Sequence, residues 1–114
     1  MKSFDTPLPD IVQAAAAFAA LGSEQRLTVL RCIVRAGPSG LTIGELGHRS
    51  GVTGSTLTHH MRILSSAGLV EQAKQGRKII CIAADYEQVS ALSSFLLQEC
   101  CADASDQCTD HEHG

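Results

Sequence analysis

The 114-residue sequence predicts a mainly α-helical fold with one β-hairpin, an α+β architecture of five helices in which the hairpin lies between the fourth and the fifth. Three observations predict it. Apolar residues recur every three or four positions over most of the chain, which is the helical period. The period changes on either side of Gly76, where runs rich in Ile and Val flank a turn sequence. Capping residues and glycines stand at the boundaries of the predicted helices.

The first two helices precede Pro38. Asp10 is placed to cap the first, IVQAAAAFAALG, which ends at Gly22. Its run of alanines adds little bulk to any face, so another helix can approach closely, and we expect a dimer contact there rather than only a helix of high propensity. Ser23 caps the second helix, EQRLTVLRCIVRA, which Gly37 and Pro38 close. The predicted buried stripe of the second helix is Leu27, Leu30, Ile33 and Val34.

Two short helices separated by a tight turn are predicted within TIGELGHRSGVTGSTLTHHMRILSSAGLV. The first begins at Thr42, because a Thr followed three residues later by a Glu, here Glu45, is a capping-box signature. It ends near Gly51, and Val52 is the buried residue of the turn. This arrangement is a helix-turn-helix. The predicted inward-facing residues of the two helices are Ile43, Leu46, Gly47, Leu57, Met61 and Leu64.

The second helix of this pair has a polar face opposite its apolar one. Thr53 is placed to cap it, it runs from Ser55 to Ala67, and Gly68 is the expected left-handed stop. Its first two turns carry short hydrogen-bonding side chains and one cation, which a helix needs to contact base edges in the DNA major groove. An ordinary solvent-facing surface has a similar composition. The residues of this face are Ser55, Thr56, Thr58, His59 and Arg62.

A β-hairpin is predicted in LVEQAKQGRKIICIAA, with Gly76 in its turn. Its tip carries Lys74, Arg77 and Lys78. A charged hairpin tip is common by itself, but one that directly follows a helix-turn-helix is typical of a wing, which lays cations along phosphates or into the minor groove. Cys81, within the second strand, is predicted to fill space in the core.

The last predicted helix, YEQVSALSSFLLQECC, begins at Asp85, with Gln88 three residues later. We expect no further element of the chain to pack against it, because the sequence beyond it is polar and acidic. A second subunit is therefore the expected partner. The apolar stripe of this last helix is Val89, Leu92, Phe95 and Leu96.

Charge is distributed unevenly along the chain. The net charge is −3, but residues 99–114 contain five acids and no Lys or Arg. The remainder has nine basic and seven acidic residues, and residues 43–80 have five basic against two acidic. This local excess of positive charge favours a nucleic-acid partner. The tail acids are Glu99, Asp103, Asp106, Asp110 and Glu112, and the basic residues are Arg49, Arg62, Lys74, Arg77 and Lys78.

No secretory signal or membrane span is predicted. The apolar stretch 11–21 is preceded by Asp5 and Asp10 and interrupted by Gln13, and no segment approaches the length of a membrane-spanning helix. We expect a reducing cytoplasm, in which the five cysteines are thiols rather than structural disulfides. Cys32 is predicted to be a small core residue. Cys-x-x-Cys, a phosphate-binding loop and a catalytic triad are all absent from the sequence, so an enzyme is not expected.

The order helix, helix, helix-turn-helix, basic wing, helix resembles the ArsR/SmtB-type winged-helix repressors, small dimers that leave DNA when they bind a metal or metalloid. The resemblance covers residues 11–100 and is most specific in AALGSEQRLTVLRCIV, STLTHHMRIL, AGLV and GR. It implies a homodimer formed through the first and last helices, bound to an inverted-repeat operator in double-stranded DNA. His60 matches a structural position. The implied DNA contacts are Thr53, Ser55, Thr56, Thr58 and His59, with Arg62, Lys74, Arg77 and Lys78 on the backbone.

The usual inducer sites of that family are absent. Many arsenic sensors carry Cys-x-Cys before the recognition helix, where this chain reads LTIGEL, and the zinc-sensor pairs are not evident in DYEQVSALSSFLLQ. The sequence therefore divides into a DNA-binding and dimerisation domain, 1–98, and an acidic sensor tail, 99–114.

The tail carries the predicted sensor, Cys100, Cys101 and Cys108. Thiolates favour thiophilic ions, and As(III) or Sb(III) takes three sulfurs. Adjacent helical residues point about 100° apart, so the vicinal pair shares one ion only where the helix frays. Some arsenic-responsive members of the family resemble this arrangement. The predicted function is a repressor that As(III) or Sb(III) releases from DNA.

Three alternatives to the arsenic site stay open. Zn(II) or Cd(II) would use these thiolates with His111 or His113. A thiol-redox or persulfide switch would pair Cys32 with Cys100 or Cys101. In the third alternative, the tail would be acidic and disordered and its cysteines would have no function.

Overall fold

The computed structural model describes residues 8–104, which form five helices and a three-stranded antiparallel sheet. This confirms the predicted fold class, a winged helix-turn-helix. None of the helices in residues 8–104 has the length and hydrophobicity of a bilayer-spanning segment. The helices are α1 (Ile11–Ala20), α2 (Glu24–Ala36), α3 (Ile43–Ser50), α4 (Gly54–Ser66) and α5 (Tyr86–Leu97), and the strands are β1 (Leu41–Thr42), β2 (Val70–Gln75) and β3 (Lys78–Ala83).

The first three helices begin at side-chain caps that the sequence predicts. Asp10 accepts a hydrogen bond from the Gln13 amide at 2.7 Å, and Ser23 accepts one from the Arg26 amide at 3.2 Å. Thr42 and Glu45 form both bonds of a capping box, at 3.1 and 2.9 Å. Each cap satisfies amide groups that have no partner within the first helical turn.

The caps predicted for the last two helices occupy the expected positions but are not used. Thr53 and Asp85 stand at the N-cap positions of α4 and α5, and neither side chain makes the capping hydrogen bond. Neither helix start is therefore stabilised by a hydrogen bond from its N-cap side chain.

The sheet contains a strand that the sequence analysis missed. β1 pairs with β3, Leu41 opposite Cys81, so that β3 is the central strand between β1 and β2. Two residues give no readable period, which is why this strand was not predicted. Gly40 precedes it with φ 68°, and a Cβ there would lie 2.5 Å from the carbonyl oxygen of Cys81. Only glycine permits this close approach.

The core is centred between α2, α3, α4 and the sheet, and α1 and α5 each contribute buried residues to it. Val29, Ile33, Leu46, Leu64 and Cys81 have no exposed surface. The predictions that Val52 is a buried turn residue and that Cys81 fills space in the core are confirmed, and Cys32 packs half-buried against the core.

The predicted stripe of α2 is partly wrong. Leu27 and Val34 are 43% and 53% exposed, whereas Val29 is fully buried beside Leu30 and Ile33. Both stripes have helical spacing, and they share Leu30 and Ile33. The packing of α3, α4 and β3 against one side of α2 selects between them, and that information is not local to the helix.

The expectation that α5 has no partner within its own chain is also wrong. Ala91 and Leu92 are buried, and Leu92 belongs to the core cluster together with Ala14 and Ala17 of α1. Val89 and Phe95 are half-buried and Leu96 is 64% exposed, so Leu92 is the one fully buried residue of the predicted stripe.

Candidate nucleic-acid interface and cysteine pair

The fourth helix is held on the core over most of its length. Leu57, Met61 and Leu64 are buried, as predicted. At its end Gly68 takes φ 78°, and the Leu69 amide donates to the Leu64 carbonyl at 3.0 Å. This Schellman arrangement satisfies carbonyl groups at the helix end and turns the chain into β2. The orientation of α4 is therefore fixed by the core and by its exit.

The opposite face of α4 is exposed. All six predicted DNA-contacting positions on it are open to solvent, and Thr58 donates from its hydroxyl to the Gly54 carbonyl at 3.4 Å. Short polar side chains on a rigid helix meet the steric and chemical requirements of base contact in the major groove. These residues are Thr53, Ser55, Thr56, Thr58, His59 and Arg62.

The hairpin of β2 and β3, which we call the wing, stands beside this face. Gly76 takes φ 62° in its turn, as predicted, and Lys74, Arg77 and Lys78 are exposed. A groove of about 670 Å³ lies between α4 and the wing, and it brings Thr58, Arg62 and Arg77 together. Lys74 and Lys78 do not line the groove. The exposed residues of α4 and the wing together form a candidate nucleic-acid-binding surface, which we call the DNA-facing surface.

His60 is the only polar or charged residue of the described chain that is buried, with 8% of its surface exposed. Its Nε2 lies 2.9 Å from Oε1 of Gln25, and its Nδ1 lies 3.3 Å from a terminal nitrogen of Arg26. Burial, Arg26 and His59 lower the pKa of His60 below its ordinary value. The resemblance indicated a structural position for His60. Its two partners lie on α2, 34 and 35 residues earlier in the sequence, so local pattern could not have identified them.

The predicted sensor begins where α5 ends. Beyond Leu97 the chain continues in single turns, with the Cys100 amide bonded to the Leu97 carbonyl at 2.9 Å. Cys101 takes φ 64°, and its Sγ lies 3.5 Å from Sγ of Cys100. The vicinal pair therefore lies outside the regular helix, with its sulfurs directed together rather than about 100° apart.

Part of the predicted sensor lies outside the described residues, namely Cys108, His111 and His113. Within residues 8–104, no group of three or more Cys, His, Asp or Glu side chains is arranged to hold a metal. Cys101 takes part in a disulfide. Burial raises the pKa of Cys81, which makes it a poor candidate for thiolate chemistry.

The fold and the DNA-facing surface define a winged helix-turn-helix protein. Residues 21–73 match the family model described as a helix-turn-helix domain. The chain is similar to an ArsR-like transcriptional regulator from Rhodococcus sp. RHA1, with 28% identity, a TM-score of 0.64, and coverage of 81% of this chain and 82% of that one. No curated protein matches it.

Two further solved structures share the fold at lower identity. One is the homodimeric winged helix-turn-helix DNA-binding domain of a possible ArsR-family regulator from Mycobacterium bovis, with 22% identity, a TM-score of 0.62, and coverage of 82% and 81%. The other is the transcriptional repressor BigR from Xylella fastidiosa, with 20% identity, a TM-score of 0.58, and coverage of 75% and 85%. At this identity the likeness concerns the fold.

Proposed function

We propose that this protein is a DNA-binding transcriptional repressor of the ArsR/SmtB type that trivalent arsenic or antimony releases from its operator. The observation that carries the DNA-binding part is the exposed polar face of α4 beside a basic wing. Both are fixed on one core, and Thr58, Arg62 and Arg77 share a groove. The likeness to an ArsR-like regulator at 28% identity supports the family assignment.

The α4 helix enters the major groove, and the wing lays its cations on the phosphates. Thr56 and His59 contact base edges, since they project from the exposed side of the first two turns. Arg77 and the neighbouring lysines contribute affinity without sequence preference, so binding falls steeply with salt.

A homodimer places two such helices in successive major grooves, about 34–36 Å apart, on an inverted repeat. Large apolar side chains support this assembly, because they are exposed on the helices that resemble the family's interface. Val12 on α1 and Tyr86, Leu96 and Leu97 on α5 are 64–80% exposed. A second copy that covered them would remove this apolar surface from water, which favours association.

The inducer binds Cys100, Cys101 and Cys108 as thiolates. Arsenous acid exchanges its three hydroxyl groups for three sulfurs, each thiol gives its proton to a departing hydroxyl, and three waters leave, with no change of oxidation state. A thiol reductant first converts the disulfide at Cys101 to thiols, and the two sulfurs 3.5 Å apart then supply the first two ligands. Recruitment of Cys108 reorders the end of α5, which changes the angle between the two DNA-facing surfaces. DNA and inducer then weaken each other's binding equally.

A thiol-redox response is the second candidate, and the disulfide at Cys101 favours it. In such a switch two thiols give two protons and two electrons to an oxidant such as a peroxide, and the S–S bond that forms changes the same end of α5. Zn(II) or Cd(II) held with His111 or His113 is a third outcome of the same experiment.

The test is a fluorescence anisotropy titration of the reduced protein on the DNA upstream of its own gene. We expect arsenite or antimonite to release wild type, and Cys108→Ser to bind DNA normally but to lose the response. Cys81→Ser and Cys32→Ser are matched controls and should respond as wild type does. An unchanged response in Cys108→Ser contradicts the three-thiol site. Release by peroxide but not by arsenite, with loss of response in Cys101→Ser, supports the redox candidate.

A further inference from the structure

The buried imidazole of His60 lies on the inner side of the helix that carries the DNA-facing surface. It contacts Gln25 and Arg26 in the first turn of α2. The Nε atom of Arg26 also donates to the carbonyl of Ala20, the last residue of α1, at 2.7 Å. One chain of hydrogen bonds therefore connects α4 to the corner where α1 meets α2.

The partners of the ring fix its protonation state. A guanidinium has only donors, so Nδ1 of His60 must accept from Arg26 through a lone pair. A neutral imidazole then carries its proton on Nε2, which donates to the side-chain oxygen of Gln25. Both bonds are satisfied together by this tautomer only.

Protonation of the ring is incompatible with this arrangement. A proton on Nδ1 would face the Arg26 guanidinium, which would remove the hydrogen bond and place two cations about 3.3 Å apart at low exposure. The charged or titratable groups acting on the ring are Arg26 of α2 and His59 of α4, and both disfavour a further positive charge. At the α1 end of the chain the contact is the backbone carbonyl of Ala20.

We infer that His60 is a positioning residue for DNA recognition. Its neutral Nε2–H tautomer holds α4 against the α1–α2 corner, and protonation releases the helix and weakens DNA binding. The part that concerns DNA rests on the proposed function.

The direction of the pKa agrees with the geometry. Because the pKa of the folded state lies below the ordinary value of 6.5, the unfolded chain binds more protons as the pH falls through that range. The contribution of His60 to stability is therefore complete above about pH 6.5 and is lost as the pH falls through the lower, folded-state value.

The first measurement is on the ring itself. Long-range ¹H–¹⁵N NMR spectra of the intact wild-type protein should show Nε2 of His60 protonated, Nδ1 unprotonated and a titration midpoint below the ordinary histidine value of 6.5. The protection of α4 amides from hydrogen exchange, relative to the intrinsic rate at each pH, should fall as His60 becomes protonated. An Nδ1–H tautomer, or a midpoint at or above 6.5, overturns the inference even if DNA binding is never detected.

The second measurement is the pH dependence of DNA affinity. His60→Gln retains a donor for Gln25 but cannot titrate, and we expect affinity at pH 7.5 to fall by no more than about tenfold, the effect of about one buried hydrogen bond. The further loss between pH 7.5 and 5.5 should be smaller than in wild type, whereas the exposed control His48→Gln should keep the wild-type loss. An identical loss in His60→Gln and wild type overturns the inference. Wild type that binds no DNA at any pH contradicts the proposed function and leaves the ring measurement to decide the positioning role.

Discussion

The fourth and fifth helices are similar in length, 13 and 12 residues, and neither begins with a side-chain cap, but they differ in how much of each is buried and in how each ends. The fourth buries Leu57, His60, Met61 and Leu64 and ends in a glycine-dependent stop. The fifth buries only Ala91 and Leu92 and ends without a glycine. A helix fixed on the core can present a surface of defined geometry, whereas a helix bound along part of one face can be reoriented at low cost by a second subunit or by a ligand at its end.

The largest expected difference in stability is between truncating a leucine on the buried face of α4 and truncating one near the end of α5. Leu64→Ala should lower the free energy of unfolding by about 2–5 kcal/mol, because Leu64 is fully buried and its truncation leaves a cavity. Leu96→Ala should change the monomer by less than about 0.5 kcal/mol, because Leu96 is exposed, and should instead raise the dimer dissociation constant. Urea denaturation and sedimentation measure the two effects, and equal costs would contradict the comparison.

Substitutions at two kinds of position on the DNA-facing surface have the next largest expected effects. Thr56→Ala or His59→Ala should cost about 1–3 kcal/mol on the preferred sequence and little on other DNA, since base contacts carry the specificity. Arg77→Ala should weaken binding to all DNA and reduce the salt slope by about 1, because the contact that we propose for Arg77 is to a phosphate. Anisotropy titrations on specific and random duplexes over a range of salt separate the two, and the reverse pattern would reassign the base-contacting residues.

The role of glycine at the C-terminal end of α4 can be tested by replacing a glycine with alanine there and, as a control, within α3. Gly68→Ala should destabilise by about 1–2 kcal/mol, because φ 78° is strained for alanine although space for a Cβ is available. Gly44→Ala, in a helical turn of α3, should be neutral or stabilise by up to about 1 kcal/mol. Thermal denaturation of both variants provides the comparison, which fails if both substitutions stabilise.

The smallest expected effects concern the helix starts. Thr42→Ala should cost about 1 kcal/mol, because it removes the capping bond to the Glu45 amide, whereas Thr53→Ala and Asp85→Ala should each cost less than about 0.5 kcal/mol. Urea denaturation at neutral pH measures all three. A loss in Asp85→Ala as large as that in Thr42→Ala would show that α5 depends on its cap.

The capping box of α3 should also depend on pH. Its hydrogen bonds with Thr42, and the nearby Arg49 and Lys78, hold the pKa of Glu45 below its ordinary value of 4.5. The stability contributed by the ionised carboxylate is therefore present above about pH 4.5 and is lost as the pH falls through the lower, folded-state value. Glu45→Gln should flatten this part of the stability profile, and an unchanged profile would contradict the assignment.

The amino-acid sequence by itself determined the features that depend on neighbouring residues. The capping box of Thr42, the glycine stop at Gly68, the turn at Gly76 and the buried spacing of Leu57, Met61 and Leu64 could all be read from it, because caps, turns and helical period are local. The polar face of α4 followed from the same period.

Only the tertiary structure decided which of two possible faces α2 buries, and it added β1 to the sheet and placed His60 against Gln25 and Arg26. It also decided that Leu92 of α5 packs in the core of its own chain. These are contacts between residues far apart in sequence. Burial of apolar surface on a neighbouring element selects among local patterns that are equally acceptable, and a local pattern contains no information about that neighbour.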